Sequence, residues 1–345
     1  MKFAVLGLGR TGHTFSSYLI DKKQEMTAWD RDPSKAAIVA ENGIECDGAL
    51  NGLFRPRATA DLAQAVDGAE YILVLTLAGG HRDVANGLRG KLRRGQTVIV
   101  FNSNWGAYEF HNILGEEAAA KDVVIAETGG MFLMSNLARP GRCTLRAVKK
   151  SMSLASIPAG KAEAVVAGLA DIFPQLRPAA NVLETSFNAS NPILHAPITL
   201  FNLARMENGE NYKYYMDGAS PAVVRYIERI DAERLHVAKA LGIEGESCLD
   251  IVNAAWGGSH TSLYEALRAS YPNSVGPKSP DLDYRFITED IPYGIAPIQI
   301  LGQRFGVATP YIDALLTGYS LALDTDFPAQ APDFSAFSVE KLIRS

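Results

Sequence analysis

The sequence has few cysteines, no long apolar run and no large excess of charge of either sign. Its three cysteines lie far apart in the chain, and an odd number of them predicts neither a disulfide framework nor a Cys-x-x-Cys metal site. We therefore expect a reducing, cytoplasmic setting and no bound metal. The 33 Lys and Arg against 38 Asp and Glu leave a formal charge of −5, which argues against a general binder of nucleic acid or membrane surfaces.

No segment is long enough to span a membrane. The longest apolar stretches, such as residues 71–78, have the length of a strand, whereas a membrane helix needs about 20 apolar residues. The apolar run at the start of the chain is also too short for a signal peptide. With 345 residues, of which 47% are hydrophobic and 21% charged, the chain has the composition of a globular protein. At roughly 150 residues per domain we expect two domains.

The first half alternates short apolar runs with helical segments. The β-rich runs lie at residues 3–6, 26–29, 71–75, 97–101 and 123–126, and the last three are largely apolar, which is typical of strands buried on both faces of a parallel sheet. One of the helices is expected to open at Asp32 as its cap, with Pro33 in the first turn. The pattern predicts an α/β Rossmann domain, with a doubly wound and mainly parallel sheet, over residues 1–180.

The second half shows helical periodicity and no clear strand. Helices are predicted over residues 223–241, with Gly242 as the stop, and over residues 298–305 and 311–323. We expect residues 181–345 to form an all-α substrate and catalytic domain.

A glycine-rich segment near the start points to a dinucleotide. The segment Gly7-Leu8-Gly9-Arg10-Thr11-Gly12 matches G-x-G-x-x-G, follows an apolar run directly and opens a helix, as the mechanism of this motif requires. Gly7 permits a tight turn, Gly9 lets the backbone approach a pyrophosphate, and Gly12 allows close packing of helix and strand. The start of the helix then offers N–H groups and a partial positive charge to the phosphates.

Asp30, at the end of the second apolar run, bears on which dinucleotide is bound. A carboxylate there accepts hydrogen bonds from the adenosine ribose and repels a 2′-phosphate, which favours NAD. Arg31 and Lys35 lie close by and could instead pair with a 2′-phosphate, so NADP remains an alternative.

Polar residues recur along an apolar segment in the second half. They are spaced by three and four residues, so that a helix would align them in one stripe, and they are Asn188, Asn191, His195, Thr199 and Asn202. A buried polar stripe needs a partner, which is either another polar part of the protein or a ligand. Two prolines in the segment indicate a helix that starts late or is kinked.

A second polar cluster lies at residues 284–294. Because Ile291 precedes a proline, we expect Glu289 and Asp290 to adopt an extended or turn conformation, with at most one of them facing inward. The planar guanidinium of Arg285 suits a carboxylate ligand, although an ordinary ion-paired loop would have the same residues.

Together, the segments Asn191-Pro192-Ile193-Leu194-His195 and Arg285-Phe286-Ile287-Thr288-Glu289-Asp290 resemble the paired signature of the opine dehydrogenases, the octopine/nopaline dehydrogenase type. The resemblance covers nearly the whole chain and is closest to bacterial N-(1-carboxyalkyl) amino acid dehydrogenases. The chain departs from the family in two loops that end strands, at residues 76–81 and 102–106, which puts the amine substrate in doubt. We expect His81, in the first of these loops, to be a solvated loop residue, with a contact to the cofactor as the alternative.

The resemblance implies that a 2-oxo acid and the amino group of an amino acid or amine form an imine, which NAD(P)H reduces. It implies that His195 is the acid/base and Asp290 its orienting partner, and the chemistry agrees, because a carboxylate beside an imidazole fixes its tautomer. Arg285 is the candidate for a substrate carboxylate, and Asn191 for a substrate or cofactor amide.

Two other functions fit the same motifs. They are a simple 2-oxo acid or hydroxyacid dehydrogenase of the same architecture, and a dinucleotide-binding sensor without turnover. The expected partners are small molecules. The sequence does not determine the amine, the stereochemistry of the product or the oligomeric state, and it leaves a homodimer open.

Overall fold

The computed structural model describes residues 1–344. The chain folds into two compact units, of which the first is Met1–Thr185 with the C-terminal residues from Glu340 and the second is Ser186–Val339. No described helix is both long and apolar enough to cross a bilayer.

The first unit is built on an eight-stranded sheet with the order β12-β11-β8-β7-β6-β1-β2-β5. Every neighbouring pair is parallel except β8 and β11, which are antiparallel. The strands are β1 (Lys2–Leu6), β2 (Glu25–Trp29), β5 (Arg57–Thr59), β6 (Tyr71–Val74), β7 (Thr97–Val100), β8 (Val124–Thr128), β11 (Met152–Ile157) and β12 (Leu176–Pro178). The predicted Rossmann domain is therefore confirmed. Its central strands are buried along their length because helices cover the sheet.

A second sheet of four strands, which the sequence patterns did not predict, belongs to the same unit. Its order is β4-β3-β10-β9, and its strands are β3 (Ile44–Gly48), β4 (Gly52–Phe54), β9 (Leu133–Arg139) and β10 (Arg142–Val148). Polar residues interrupt β9, and polar and charged residues interrupt β10, so neither strand has the continuous apolar run that marks the large sheet.

The helices of the first unit connect these strands. They are α1 (Arg10–Asp21), α2 (Pro33–Asn42), α3 (Leu62–Val66), α4 (His81–Leu88), α5 (Gly106–Ala120), α6 (Ala162–Leu169) and α7 (Val182–Phe187), which runs into the second unit. As predicted, Asp32 caps α2, because its side chain accepts a hydrogen bond from the Ser34 N–H and Pro33 occupies the first turn.

The second unit is helical, as predicted. Its helices are α8 (Ser190–Leu200), α9 (Leu203–Glu207), α10 (Tyr214–Asp217), α11 (Pro221–Ala240), α12 (Cys248–Trp256), α13 (Leu263–Ser270), α14 (Arg285–Thr288), α15 (Ala296–Arg304) and α16 (Pro310–Leu323), and the last helix, α17 (Val339–Arg344), follows. Within residues 186–339 the only β pairing is an isolated bridge between Lys213 and Val275. Helix α8 is central, because α11, α12, α14 and α16 all pack against it.

Candidate active site

The loop between β1 and α1 has the shape that the glycine motif predicts. Gly7 has a φ of +107°, in the region that glycine adopts readily, and a Cβ on Gly12 would overlap the Gly7 carbonyl oxygen. A Cβ on Gly9 would meet nothing within 4 Å, so the backbone there is open to a close ligand. The glycines are therefore required for the turn and for the close packing of α1.

Helix α1 begins without a side-chain cap. Gly9 is the cap residue, and Arg10 and Thr11 are the first residues of the helix. No side chain caps this end of the helix by accepting a hydrogen bond from its first N–H groups. The first N–H groups of a helix have no partner within the helix, and they carry a partial positive charge. The described residues thus provide a site for an anion such as a pyrophosphate.

Asp30 is connected directly to this loop. Its Oδ2 accepts a hydrogen bond of 2.8 Å from the Leu8 N–H, and its Oδ1 accepts one of 3.0 Å from the Asp32 N–H. Lys35 Nζ lies 3.9 Å from Asp30 Oδ1, whereas Arg31 is exposed. The carboxylate is thus held beside the glycine loop, with one cation paired to it.

In the second unit, the structure brings together the expected acid/base, His195, and its expected orienting partner, Asp290. The Nδ1 of His195, on α8, lies 2.6 Å from Oδ2 of Asp290, although 95 residues separate them in the chain. The Asp290 side chain is fully buried, and the His195 side chain is 8% exposed. Because a carboxylate only accepts hydrogen bonds, this contact places the proton of a neutral imidazole on Nδ1 and leaves Nε2 as the acceptor.

Two aromatic side chains that were not predicted also contact the imidazole. Phe286 stacks on the ring with centroids 3.8 Å apart, and the Tyr215 hydroxyl lies 3.0 Å from Nε2. Phe286 belongs to the motif that contains Arg285 and Asp290, so its position in the motif was an available signal. Tyr215 lies on the short helix α10, and no pattern in the sequence distinguishes it.

Arg285 forms an ion pair with Glu289, with Nη2 and Oε2 3.0 Å apart, and its side chain is 28% exposed. Burial lowers the pKa of Arg285, but the nearby Glu289 and Asp290 carboxylates outweigh it and raise that pKa. Among the described residues, Nε of Arg285 has no hydrogen-bond partner. The guanidinium is therefore cationic, and one of its buried donors is available to a ligand.

The backbone around Glu289 and Asp290 differs from the expectation. Both residues have helical dihedral angles, and a π-helical turn, Ile291–Ile295, continues from them. Pro292 fits because it stands in the first turn, where an N–H is not required. Glu289 and Asp290 are also both buried, so the expectation of at most one inward carboxylate is wrong. The positive charge of Arg285 beside them offsets the cost of burying two carboxylates.

The polar stripe of the second unit is shorter than the spacing predicted. Asn188 and Asn202 lie outside α8 and are satisfied by the protein: the Asn188 amide oxygen accepts from the Glu246 N–H at 2.9 Å, and the Asn202 amide donates to the Ile198 carbonyl at 2.7 Å. Asn191, in the first turn of α8, is partly exposed, one turn before His195. The helix begins late, at Ser190, as the prolines indicated.

His81 contradicts the expectation of a solvated loop residue. It is the first residue of α4, is 2% exposed and lies with its ring 6.0 Å from that of Phe110. Burial lowers the pKa of His81 to about 4, so the ring is neutral at physiological pH. The signal was ambiguous because the two preceding glycines are as typical of a loop as of a helix start.

A dinucleotide loop on a parallel sheet, with a buried imidazole–carboxylate pair in a helical second unit, defines an NAD(P)-dependent oxidoreductase of two domains. Residues 178–323 match the family model "NAD/NADP octopine/nopaline dehydrogenase, alpha-helical domain", and residues 3–125 match that of ketopantoate reductase. An opine dehydrogenase from Arthrobacter sp. (strain 1C) is 36% identical over 331 residues, which are 94% of this chain and 91% of that protein.

More distant relatives agree. A D-nopaline dehydrogenase from Agrobacterium tumefaciens (strain T37) is 26% identical over 83% of this chain and 78% of its own length. The solved structure of an octopine dehydrogenase in complex with NADH and agmatine superposes with a TM-score of 0.77 at 18% identity, over 96% of this chain and 94% of that one.

The chain belongs to the opine dehydrogenase family. It is an enzyme that uses NAD(P)H to condense a 2-oxo acid reductively with the amino group of an amino acid or amine.

Proposed function

We propose that His195 is the acid/base of this condensation, that Asp290 orients it and that Arg285 binds the carboxylate of the 2-oxo acid, which we take to be pyruvate or a close analogue. The observation that carries the proposal is the 2.6 Å contact between His195 Nδ1 and Asp290 Oδ2, because it fixes the tautomer and orientation of the imidazole. Asn191, one turn before His195 on α8, is proposed to bind a substrate or cofactor amide.

As the ammonium group of the amine becomes an iminium, its nitrogen gives up two protons, and both end on the oxygen of the oxo acid, which departs as water. One of them leaves before the nitrogen attacks and passes through the acid/base, and the other moves from the nitrogen to the oxygen after the nitrogen has bonded to the carbonyl carbon. A neutral His195, with its proton on Nδ1, accepts the first proton at Nε2, and Asp290 then stabilises the imidazolium. The imidazolium returns a proton to the oxygen that leaves as water. Because an imidazole can both accept and donate a proton, a single side chain can thus serve both transfers.

Arg285 is suited to the carboxylate because its guanidinium offers a planar set of donors, one of which, Nε, has no partner in the described part of the chain. Glu289 already pairs with Nη2 and limits the orientation of the Arg285 guanidinium. We infer that the carboxylate binds at the Nε side, which fixes the position of the neighbouring carbonyl carbon.

The first unit fits the cofactor. The open backbone at Gly9 and the uncapped start of α1 would hold the pyrophosphate, and Asp30 would bind the adenosine ribose. The rest of the segment Gly7 to Gly12, together with Arg31, would form the surface around the bound cofactor. When bound, NAD(P)H supplies the hydride that reduces the imine carbon. We propose a preference for NAD, supported by the Asp30 carboxylate held beside the loop, although Lys35 lies 3.9 Å from it.

Two further expectations are retained as proposals. We propose residues 1–180 as the dinucleotide-binding domain and 181–345 as the substrate and catalytic domain. We also propose a cytoplasmic enzyme, supported by the free state of Cys46, Cys143 and Cys248.

The test follows NADH absorbance with pyruvate alone, with amino acids or simple amines alone, and with both together. Oxidation only with both substrates is expected. Oxidation with the oxo acid alone would instead indicate a simple 2-oxo acid dehydrogenase, and NADH binding without oxidation would indicate a sensor. His195→Ala should lower turnover by about 10²- to 10⁴-fold with NADH binding unchanged. The matched control is His236→Ala, at an exposed histidine of α11.

A further inference from the structure

The second ring nitrogen of His195 is occupied by a hydroxyl. Asp290 contacts Nδ1, and the Tyr215 hydroxyl lies 3.0 Å from Nε2, the nitrogen that must exchange protons with the substrate. Tyr215 is 6% exposed, so bulk water does not compete for this contact. Any proton that enters or leaves Nε2 along this direction meets the tyrosine oxygen first.

The aromatic surroundings hold the Tyr215 ring in this position. Its ring stacks on Tyr271 with centroids 4.6 Å apart and meets Tyr214 edge to face at 5.1 Å. Tyr214 is itself anchored, because its hydroxyl donates to the His195 carbonyl oxygen at 3.0 Å. Phe286 also covers one face of the imidazole. These ring contacts therefore restrict the movement of both rings and keep the Tyr215 hydroxyl next to Nε2.

The hydroxyl is able to work in both directions. It can donate to Nε2 when the imidazole is neutral and accept from Nε2–H when the imidazole is protonated. Burial, with smaller contributions from Tyr271 and Asp290, raises the pKa of Tyr215 well above its usual value, so the hydroxyl keeps its proton at any working pH. A tyrosinate is therefore not an intermediate, and transfer through this group requires one proton to arrive as another leaves.

We propose that Tyr215 is a catalytic residue that relays protons between His195 and the substrates. As the amine is deprotonated, its proton passes to the tyrosine oxygen while the hydroxyl proton passes to Nε2. As water departs from the oxo acid carbon, Nε2–H passes its proton to the tyrosine oxygen while the hydroxyl proton passes to the leaving oxygen. The tyrosine is neutral before and after each step. The other proton of the departing water comes from the amine nitrogen after it has bonded to the carbonyl carbon, so the protons balance.

The test is Tyr215→Phe, which removes only the oxygen and keeps the stacking on Tyr271. The relay predicts that kcat falls by about 10²-fold or more, with KM for both substrates and NADH binding within about threefold of the wild type. The matched control is Tyr271→Phe, which removes a hydroxyl from the same aromatic cluster and should keep near-normal kcat.

A second readout separates a relay from mere support of the imidazole. Single-turnover rates are measured in mixtures of H₂O and D₂O. The rate of the wild type should fall along a curve with the deuterium fraction, because two protons move in the step. The residual rate of Tyr215→Phe should fall along a straight line, because only one proton moves. Either of two results would overturn the relay. One is a kcat of Tyr215→Phe within fivefold of that of Tyr271→Phe. The other is a lowered KM in Tyr215→Phe, which would show that the hydroxyl competes with the substrate for Nε2.

The inference rests on the proposed role of His195, and the two can fail separately. If His195→Ala is inactive while Tyr215→Phe is nearly normal, only the relay is wrong. If His195→Ala keeps wild-type turnover, the acid/base assignment is wrong and the relay with it.

Discussion

The exchange of Asp290 for asparagine tests the central contact of the site. Asparagine keeps the volume of the side chain but removes the charge that faces His195 Nδ1 at 2.6 Å. Its amide can also present N–H donors to Nδ1, which would favour the tautomer with the proton on Nε2. The variant therefore loses both the stabilisation of the imidazolium and the orientation of its acceptor nitrogen.

The expected loss follows from Coulomb's law. Two unit charges about 4 Å apart interact by about 4 kcal/mol at an effective dielectric constant of about 20. Each 1.36 kcal/mol of barrier corresponds to about tenfold in rate, so kcat should fall by about 10³-fold. The same exchange in a Ser-His-Asp triad lowers kcat by about 10⁴-fold, which supports the order of magnitude.

The assay is NADH oxidation under saturating concentrations of both substrates. NADH affinity, measured by fluorescence titration, should not change, because the glycine loop belongs to the first unit and Asp290 to the second. Asp281→Asn, at an exposed aspartate shortly before α14, is the control for the exchange itself. A folded Asp290→Asn enzyme that keeps more than a tenth of the wild-type kcat would refute the orienting role.

Three other changes have definite outcomes. Gly12→Ala should weaken NADH binding in a fluorescence titration by about tenfold or more, because the added Cβ overlaps the Gly7 carbonyl. Arg285→Lys should lower kcat/KM for the 2-oxo acid by about 10²-fold in steady-state assays, since an ammonium cannot replace the planar fork. Burial lowers the pKa of His81 from 6.5 to about 4, so between these values the unfolded chain binds a proton that the folded one does not. The free energy of unfolding should then fall by about 1.4 kcal/mol per pH unit on acidification, and urea titrations of His81→Leu should lack this slope.

The parts of the fold that were predictable from the sequence depend on local patterns. The strand before Gly7, the cap at Asp32 and the stop of α11 before Gly242 each follow from residues within one or two turns of the element. The second sheet is not local in this way. Its strand β10 pairs in parallel with β3, far away in the chain, and polar residues on both strands hide the pattern.

The contacts of the candidate site likewise join residues that are far apart in the chain, so local patterns do not predict them. The contact between His195 and Asp290 was expected only because the two segments resemble a family signature, since spacing along the chain does not bring residues 95 positions apart together. Tyr215 belongs to neither segment. Its place beside Nε2 follows from the packing of α10 against its aromatic neighbours, which a single sequence does not display.

The printed contacts of the proposed acid/base lie within the second unit. Asp290 contacts His195 at Nδ1, Phe286 covers one ring face, and Tyr215 contacts Nε2. All of these partners belong to residues 186–339, as does Arg285. The contact with Asp290, which sets the tautomer of the imidazole, is therefore made within this unit. Preorganised groups of this kind require no reorganisation during the reaction. The two loops that we expect to depart from the family pattern, at residues 76–81 and 102–106, belong to the first unit, so substitutions there leave these contacts of His195 unchanged.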